Sequence, residues 1–324
     1  MSRAAVPIRL ERSVLAVPGA NPRMHARAAA AGADLVFLDL EDAVAPSEKE
    51  ASRALVAQSL RALDWGRTTR AFRINGLDTP WWYRDLIEVV EAAGDALDCV
   101  IVPKVNRPED VCTVAALLAS IEQYRGFSRP IGIEAQIETA QGLVAVEAIA
   151  ACSDRLEALV FGMGDYAASM RMPLALIGVP DAHDTLYGSD RFHYALHRLV
   201  AAARAHGLRA IDGPYAAIRD LDGFRRACQV ALALGFDGKW CLHPDQVPVA
   251  NAVFAPSAEE IAWARRVLDA YAAAAAEGRG VLTVDGHMVD AASLRMAQSA
   301  LERARRAGLL PAAEPARGSE EGRR

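Results

Sequence analysis

The sequence predicts a (β/α)8 barrel. Three observations carry that expectation. Eight short apolar or β-branched runs recur along the chain, helical patterns fill the intervals, and several runs are unbroken hydrophobic stretches, as parallel strands covered on both faces are. Eight β–α units in series close into a barrel, with a doubly wound open sheet as the other fold of this alternation. A length of 324 residues suits one such barrel with a C-terminal addition, or two ordinary domains, and 52% hydrophobic residues are ample for the core.

The strands are expected at Ser13–Val17, Leu35–Leu40, Arg70–Ile74, Cys99–Val105, Ile131–Ile137, Ala158–Phe161, Leu208–Ile211 and Gly238–Leu242. Between them helices are expected at Asn21–Ala31, Glu48–Leu63, Trp81–Ala93, Pro108–Tyr124, Thr139–Cys152, Tyr194–His206 and Leu221–Leu234. Polar residues collect at the strand ends. Glu41 and Asp42 follow the second strand, Arg73 and Asn75 end the third, and Lys104 ends the fourth. Glu138 ends the fifth, Asp165 follows the sixth, Asp212 follows the seventh, and His243 ends the eighth. A barrel of this kind keeps its chemistry at the C-terminal ends of its strands. Any one of these acids also serves as a helix N-cap; so many at successive strand ends point to a site.

After His243 the pattern changes. Ser257 opens a helix with a capping box, S-A-E-E, running to about Ala276. Gly278–Gly280 breaks it, Val281–Val289 reads as a hairpin turning at Asp285-Gly286, and a last helix covers Asp290–Ala307. The expected organisation is a barrel domain over 1–250, a C-terminal lid over 251–310 and a disordered tail over 311–324.

A net charge of −5 argues against a nucleic-acid partner, which demands a basic surface. The five cysteines, Cys99, Cys112, Cys152, Cys228 and Cys241, form no C-x-x-C pair and read as reduced residues. Met1–Glu11 lacks the apolar stretch of a signal peptide, and no window approaches 18 apolar residues. The expectation is a cytoplasmic protein without a membrane span.

Glu138 and Asp165 would meet on adjacent strands. Two carboxylates completed by water and substrate oxygens suit Mg²⁺; the alternative is an acid–base network within the barrel mouth. No His/Cys cluster has zinc spacing. Arg73 is placed to clamp a carboxylate or a developing oxyanion, or else to bridge to Glu41 or Asp42. Trp81-Trp82-Tyr83 reads as helix packing, and His243 as catalytic or as a packed strand-end residue. Gly162-Met163-Gly164 lacks the rest of a phosphate-binding pattern.

Several phrases, in order, resemble the citrate-lyase β-subunit-like family. They are Ser13-Val14-Leu15…Pro18-Gly19, Leu38-Asp39-Leu40-Glu41-Asp42-Ala43-Val44, Arg73-Ile74-Asn75-Gly76, Pro103-Lys104-Val105, Ile137-Glu138-Thr139-Ala140-Gln141-Gly142 and Gly164-Asp165. Asn75-Gly76-Leu77-Asp78-Thr79-Pro80, Tyr83-Arg84-Asp85, Gly238-Lys239-Trp240 and Leu242-His243-Pro244 resemble its malyl-CoA/β-methylmalyl-CoA lyase branch. The resemblance runs from about Arg12 to Ala307.

It implies a barrel with a C-terminal lid, Mg²⁺ (with Mn²⁺ able to replace it), an acyl-CoA whose coenzyme A is part of the substrate, and a glyoxylate-type 2-oxo acid. Glu138 and Asp165 match the metal ligands, and Arg73 the substrate-binding arginine. Gly164, Leu242 and His243 match positions lining the thioester arm, Asp165 also lying on the substrate side. Asp290 matches the catalytic acid of the lid, carried into a neighbouring subunit of a homotrimer or homohexamer. Asn21 and Arg27 stand where the branch often has an arginine and a lysine for the coenzyme A phosphates. A large aromatic expected near Ala16 is missing, and Met172–Phe192 is shorter than in the branch. The same residues would also suit a malyl-CoA thioesterase or cleavage of citramalyl-CoA or a citryl thioester. A non-catalytic or carrier-dependent subunit of a lyase complex is the reading from another class.

Overall fold

The computed structural model describes residues 9–188 and 190–311. Eight parallel strands form a closed barrel in chain order. They are β1 (Ser13–Pro18), β2 (Leu35–Asp39), β3 (Thr69–Arg73), β4 (Cys99–Val102), β5 (Gly132–Ile137), β6 (Leu156–Phe161), β7 (Arg209–Asp212) and β8 (Gly238–Cys241). The helices between them are α1 (Pro22–Ala29), α2 (Lys49–Ala62), α3 (Trp82–Ala93), α4 (Pro108–Arg125), α5 (Ala140–Val144), α6 (Val146–Ala151), α7 (Met163–Ser169), α8 (Ala182–Tyr187), α9 (His193–Ala205) and α10 (Leu221–Leu234), with α11 (Gln246–Phe254) after β8. The barrel predicted from the apolar runs is the barrel observed. Two details differ. The helix expected over Thr139–Cys152 is two helices meeting at Ala145, and the stretch after β6 folds α7 and α8 before α9. All five cysteines are free.

Side chains alternate along each strand, so the barrel has two apolar layers. Outward residues such as Leu38, Phe72, Val100 and Leu159 pack against the helices. Inward residues, among them Phe37, Ala71, Ile101, Val160 and Trp240, fill the interior.

Beneath that interior plug lies a buried ionic floor. Arg209 of β7 reaches Glu11 ahead of β1 (2.5 Å), Glu157 of β6 (3.1 Å) and Glu134 of β5 (3.6 Å). Arg9 closes on Glu157 at 2.7 Å. Burial, with Glu134 beside it, pushes the Glu11 carboxyl well above its usual range. Burial does the same to the adjacent Cys99 thiol, leaving it an inert packing residue.

The chain divides after Phe254 into two compact units. The second contains α12 (Ala258–Ala276), a hairpin of β9 (Leu282–Val284) and β10 (His287–Val289), and α13 (Ala291–Arg306). The capping box read from the sequence is present: Ser257 Oγ accepts from Glu260 N and Glu260 Oε2 accepts from Ser257 N. Asp285 and Gly286 turn the hairpin with φ of 48° and 82°, the left-handed pair that a tight two-residue turn requires. Val267, Val284, Val289 and Leu301 form this unit's own core. Residues 312–324, most of the expected tail, and the first eight residues lie outside the described residues. Among the described residues no helix is long and apolar enough to cross a membrane.

Candidate active site

Two residues beyond the apolar interior, the inward positions become charged. Asp39 follows Phe37 on β2 and Arg73 follows Ala71 on β3, while Gln136 and Glu138 continue β5. Arg73 is buried, its guanidinium 5.8 Å from the Phe37 ring and 5.5 Å from the Trp240 ring. Its Nε and Nη2 donate to the two oxygens of Asp39, each at 2.7 Å. Its Nη1 donates to Gln136 Oε1 at 3.3 Å and lies 2.8 Å from Glu41 Oε2. Burial opposes the Asp39 charge, but the bidentate arginine more than offsets it and holds that carboxyl below its usual range. The clamp expected of Arg73 is therefore seated on the protein along one edge. Both readings from the sequence meet in it: an ion pair to Glu41 exists, and Asp39, not singled out beforehand, is the main partner.

Glu138 lies beyond the end of β5 and is 1% exposed. Its Oε1 accepts from the backbone N–H of Lys104 at 2.8 Å and its Oε2 from Gln136 Nε2 at 2.5 Å. Burial first, then the charges of Glu41 and Asp165, push its carboxyl up to about 8 against the pull of Arg73. A β-carbon on Gly162 would stand 2.3 Å from Glu138 Oε2. Only glycine lets the loop after β6 cross there, and that crossing delivers Asp165, three residues on, to Glu138. The Gly162-Met163-Gly164 stretch is thus a close-approach device rather than a phosphate loop.

Lys104 Nζ donates to Glu41 Oε1 at 2.7 Å and lies 3.8 Å from Asp42. Glu41 Oε2, buried, meets Arg73 Nη1 at 2.8 Å as an ion pair without hydrogen-bond geometry. Three carboxylates, Glu41, Glu138 and Asp165, thus gather beside two cations, and burial, with repulsion from neighbouring carboxylates behind it, raises the carboxyls of Glu41 and Glu138. An all-oxygen, electron-rich donor set of this kind fits a divalent hard cation. Among the described residues no three His, Cys, Asp or Glu side chains already form a metal cage. Mg²⁺ takes one or two protein carboxylates and fills its shell from water and substrate.

The remaining predicted residues fall as follows. Asn21 caps α1, its side chain accepting from Met24 N at 3.3 Å. Arg27 is exposed on the same helix, about 9 Å further along its axis. Gly164 packs where a β-carbon would meet Ile177 at 2.8 Å. Leu242 is exposed and His243 half-buried in the turn after β8, where both backbone N–H groups donate to Gln246 Oε1. Asp290 caps α13, its Oδ1 accepting from Ala292 N (2.9 Å) and Ser293 N (3.0 Å). Those bonds hold its carboxyl below its usual range.

Two strand-end residues leave the set. Asp212 points outward to ion-pair with the buried Lys239, and Asn75 donates both its N–H and its amide to Asp85, which also holds Arg53. A cavity of about 570 Å³ opens beside that Asp212–Lys239 pair, between α9 and α10, and contains neither Arg73 nor Glu138. The chemistry follows the charged rim, not this volume.

Residues 12–244 match the family described as HpcH/HpaI aldolase/citrate lyase. An L-malyl-CoA/beta-methylmalyl-CoA lyase of Cereibacter sphaeroides is 43% identical over 300 residues, covering 91% of this chain and 94% of its own. A (3S)-malyl-CoA thioesterase of the same species is 38% identical, covering 90% and 94%. Among solved structures, the CitE protein of Mycobacterium tuberculosis, in complex with magnesium, acetoacetate and coenzyme A, matches with a TM-score of 0.72 and 33% identity, over 94% of this chain and 99% of that one.

Proposed function

Since this chain belongs to the HpcH/HpaI aldolase/citrate lyase family, we propose that it catalyses the reversible cleavage of malyl-CoA or β-methylmalyl-CoA to acetyl-CoA or propionyl-CoA and glyoxylate. The observation that carries the reading is the charged rim: a buried arginine held along one edge by Asp39, beside an electron-rich group of carboxylates.

Glu138 and Asp165 would hold Mg²⁺, or Mn²⁺ in its place, which when bound supplies Lewis-acid polarisation to the oxo acid's carbonyl. Glu138 enters that role ionised, and its two hydrogen bonds fix the plane in which its oxygens lie. Asp39 occupies the Nε–Nη2 edge of Arg73 and Gln136 and Glu41 engage Nη1, which leaves the second Nη2 proton to face the thioester oxygen. In condensation, Asp290 takes a proton from the methyl carbon of acetyl-CoA, and Arg73 stabilises the enolate oxygen that results. The enolate carbon attacks the aldehyde carbon of glyoxylate, the new alkoxide takes up a proton, and cleavage retraces these steps. Asp290 would come from a neighbouring subunit of a homotrimer or homohexamer. Asn21 and Arg27 face the coenzyme A phosphates, and Gly164, Leu242 and His243 line the thioester arm.

Hydrolysis is the second reading, favoured by the likeness to a thioesterase; the same base would then activate water. The test is to incubate the purified protein with acetyl-CoA, glyoxylate and Mg²⁺ and to follow malyl-CoA and free CoA together. Accumulating malyl-CoA that EDTA stops is the expected result. Free CoA without lasting malyl-CoA would establish the thioesterase, and neither product would overturn the proposal.

A further inference from the structure

Lys104 holds a conformation that its residue type resists. Its φ of 51° lies in the left-handed region, where a β-carbon crowds the following backbone. Among the described residues, two other non-glycine residues share that region. Arg171 sits just past the end of α7 and Asp285 in the hairpin turn, both ordinary places for it. Lys104 does neither job; it bends the chain two residues past the end of β4. Strain of this kind persists only where the surroundings over-determine it.

Here two contacts do so. The backbone N–H of Lys104 donates to Glu138 Oε1 at 2.8 Å, and its Nζ donates to Glu41 Oε1 at 2.7 Å. The other oxygen of Glu41 lies 2.8 Å from Arg73. One residue thus ties together the acid assigned to the metal and, through Glu41, the arginine assigned to the enolate.

We propose that Lys104 is a positioning residue for the carbon–carbon cleavage: its left-handed backbone aims an N–H that fixes the Glu138 carboxylate, and its ammonium anchors Glu41, whose other oxygen holds Arg73 Nη1, so that the guanidinium keeps its second Nη2 proton toward the thioester. The inference rests on the roles given above to Glu138 and Arg73. Its physical logic is charge sharing. With the ammonium present, Glu41 divides its attraction between two cations. Without it, Glu41 loses the partner that fixes its Oε1, shifts against Arg73 Nη1 and turns the guanidinium away from the substrate. The backbone half is separable, because glycine adopts the left-handed region freely and keeps the N–H.

The test compares Lys104→Gly with Lys104→Met, reading Mn²⁺ affinity by electron paramagnetic resonance of the free ion and reading kcat and KM separately. Lys104→Gly should bind Mn²⁺ within about twofold of the parent while kcat falls about ten- to hundredfold, the scale of a misplaced catalytic group. Lys104→Met keeps the crowded β-carbon but loses the ion pair that holds it. Its turn should relax, and Mn²⁺ affinity should fall fivefold or more along with kcat. Parental kcat in Lys104→Gly overturns the role of the ammonium, and parental Mn²⁺ affinity in Lys104→Met overturns that of the backbone. Should the methionine variant not fold, the glycine variant, which relieves the crowding, still decides the first point. A parent without lyase activity whose variants shift Mn²⁺ affinity as stated would instead sink the assigned reaction and leave the geometry standing.

Discussion

Replacing Glu138 by glutamine should invert its effect on stability between pH 5 and pH 9. In the metal-free protein the Glu138 carboxyl is raised from the usual 4.5 to about 8, by burial and then by Glu41 and Asp165. The folded state therefore keeps a proton that the unfolded chain releases above 4.5. Stability from this group is full below 4.5 and is lost as pH climbs through 8. At about 1.36 kcal/mol per unit the ceiling on that loss is about 5 kcal/mol, and local relaxation brings it to roughly 2–4 kcal/mol. Glutamine cannot ionise and escapes the loss. It has a cost of its own: both oxygens of Glu138 accept from N–H donors, Lys104 and Gln136, and an amide NH₂ must face one of them. A mismatched buried donor costs about 1–2 kcal/mol. The variant should thus be about 1–2 kcal/mol less stable at pH 5 and up to about 3 kcal/mol more stable at pH 9. Urea unfolding in EDTA at pH 5, 7 and 9 measures this directly. Adding Mg²⁺ at pH 9 should restore the parent and leave the variant unmoved, since ligand binding to the folded state stabilises it. Parallel stability curves for the two proteins across this range would refute the reasoning.

Three further outcomes are expected. Arg73→Lys should lose nearly as much turnover as Arg73→Ala, because one ammonium cannot occupy both oxygens of Asp39 and still reach Glu41 and Gln136; steady-state kinetics with near-parental kcat for the lysine variant would make Arg73 a bulk charge. Asp290→Asn should fold, keep its cap and be inactive, and co-expression with the inactive Glu138→Gln should return part of the activity in mixed oligomers; mixed oligomers as dead as their parents would place Asp290 in cis or outside the reaction. Asp212→Ala should cost about 3–5 kcal/mol in urea unfolding, because it strands the buried Lys239 ammonium, and Lys239→Met added to it should recover most of the loss.

Much of the fold was legible because parallel strands and amphipathic helices write their periods into the chain. The barrel, the Ser257 capping box and the Asp285-Gly286 hairpin all rest on local signals, and all are present. What stayed hidden depends on three-dimensional pairing. Asp39 looked like one more strand residue, although a lone acid inside Leu38-Asp39-Leu40 was a usable signal for a buried cationic partner. Asp212 and Glu138 look alike in sequence, each an acid at a strand end. A shift of one position in the alternation sends Asp212 outward to Lys239, while Glu138 stays at the rim. The conformation of Lys104 could not be read at all, because left-handed backbone in a lysine is imposed by its partners rather than by its own preference.

The ionic floor of the barrel has a consequence for how this chain can be divided. Its cations are Arg209 of β7 and Arg9 of the segment before β1, and its acids come from that same segment, from β5 and from β6. A piece ending after β4 would carry Glu11 with no Arg209 to meet it. The complementary piece would carry Arg209 with two acids and no Glu11. In the first piece Arg9 would also lack Glu157, so the pairings of the floor are complete only when the chain has come full circle. Closing the barrel and completing its ionic floor therefore both need the start of the chain to meet its late strands.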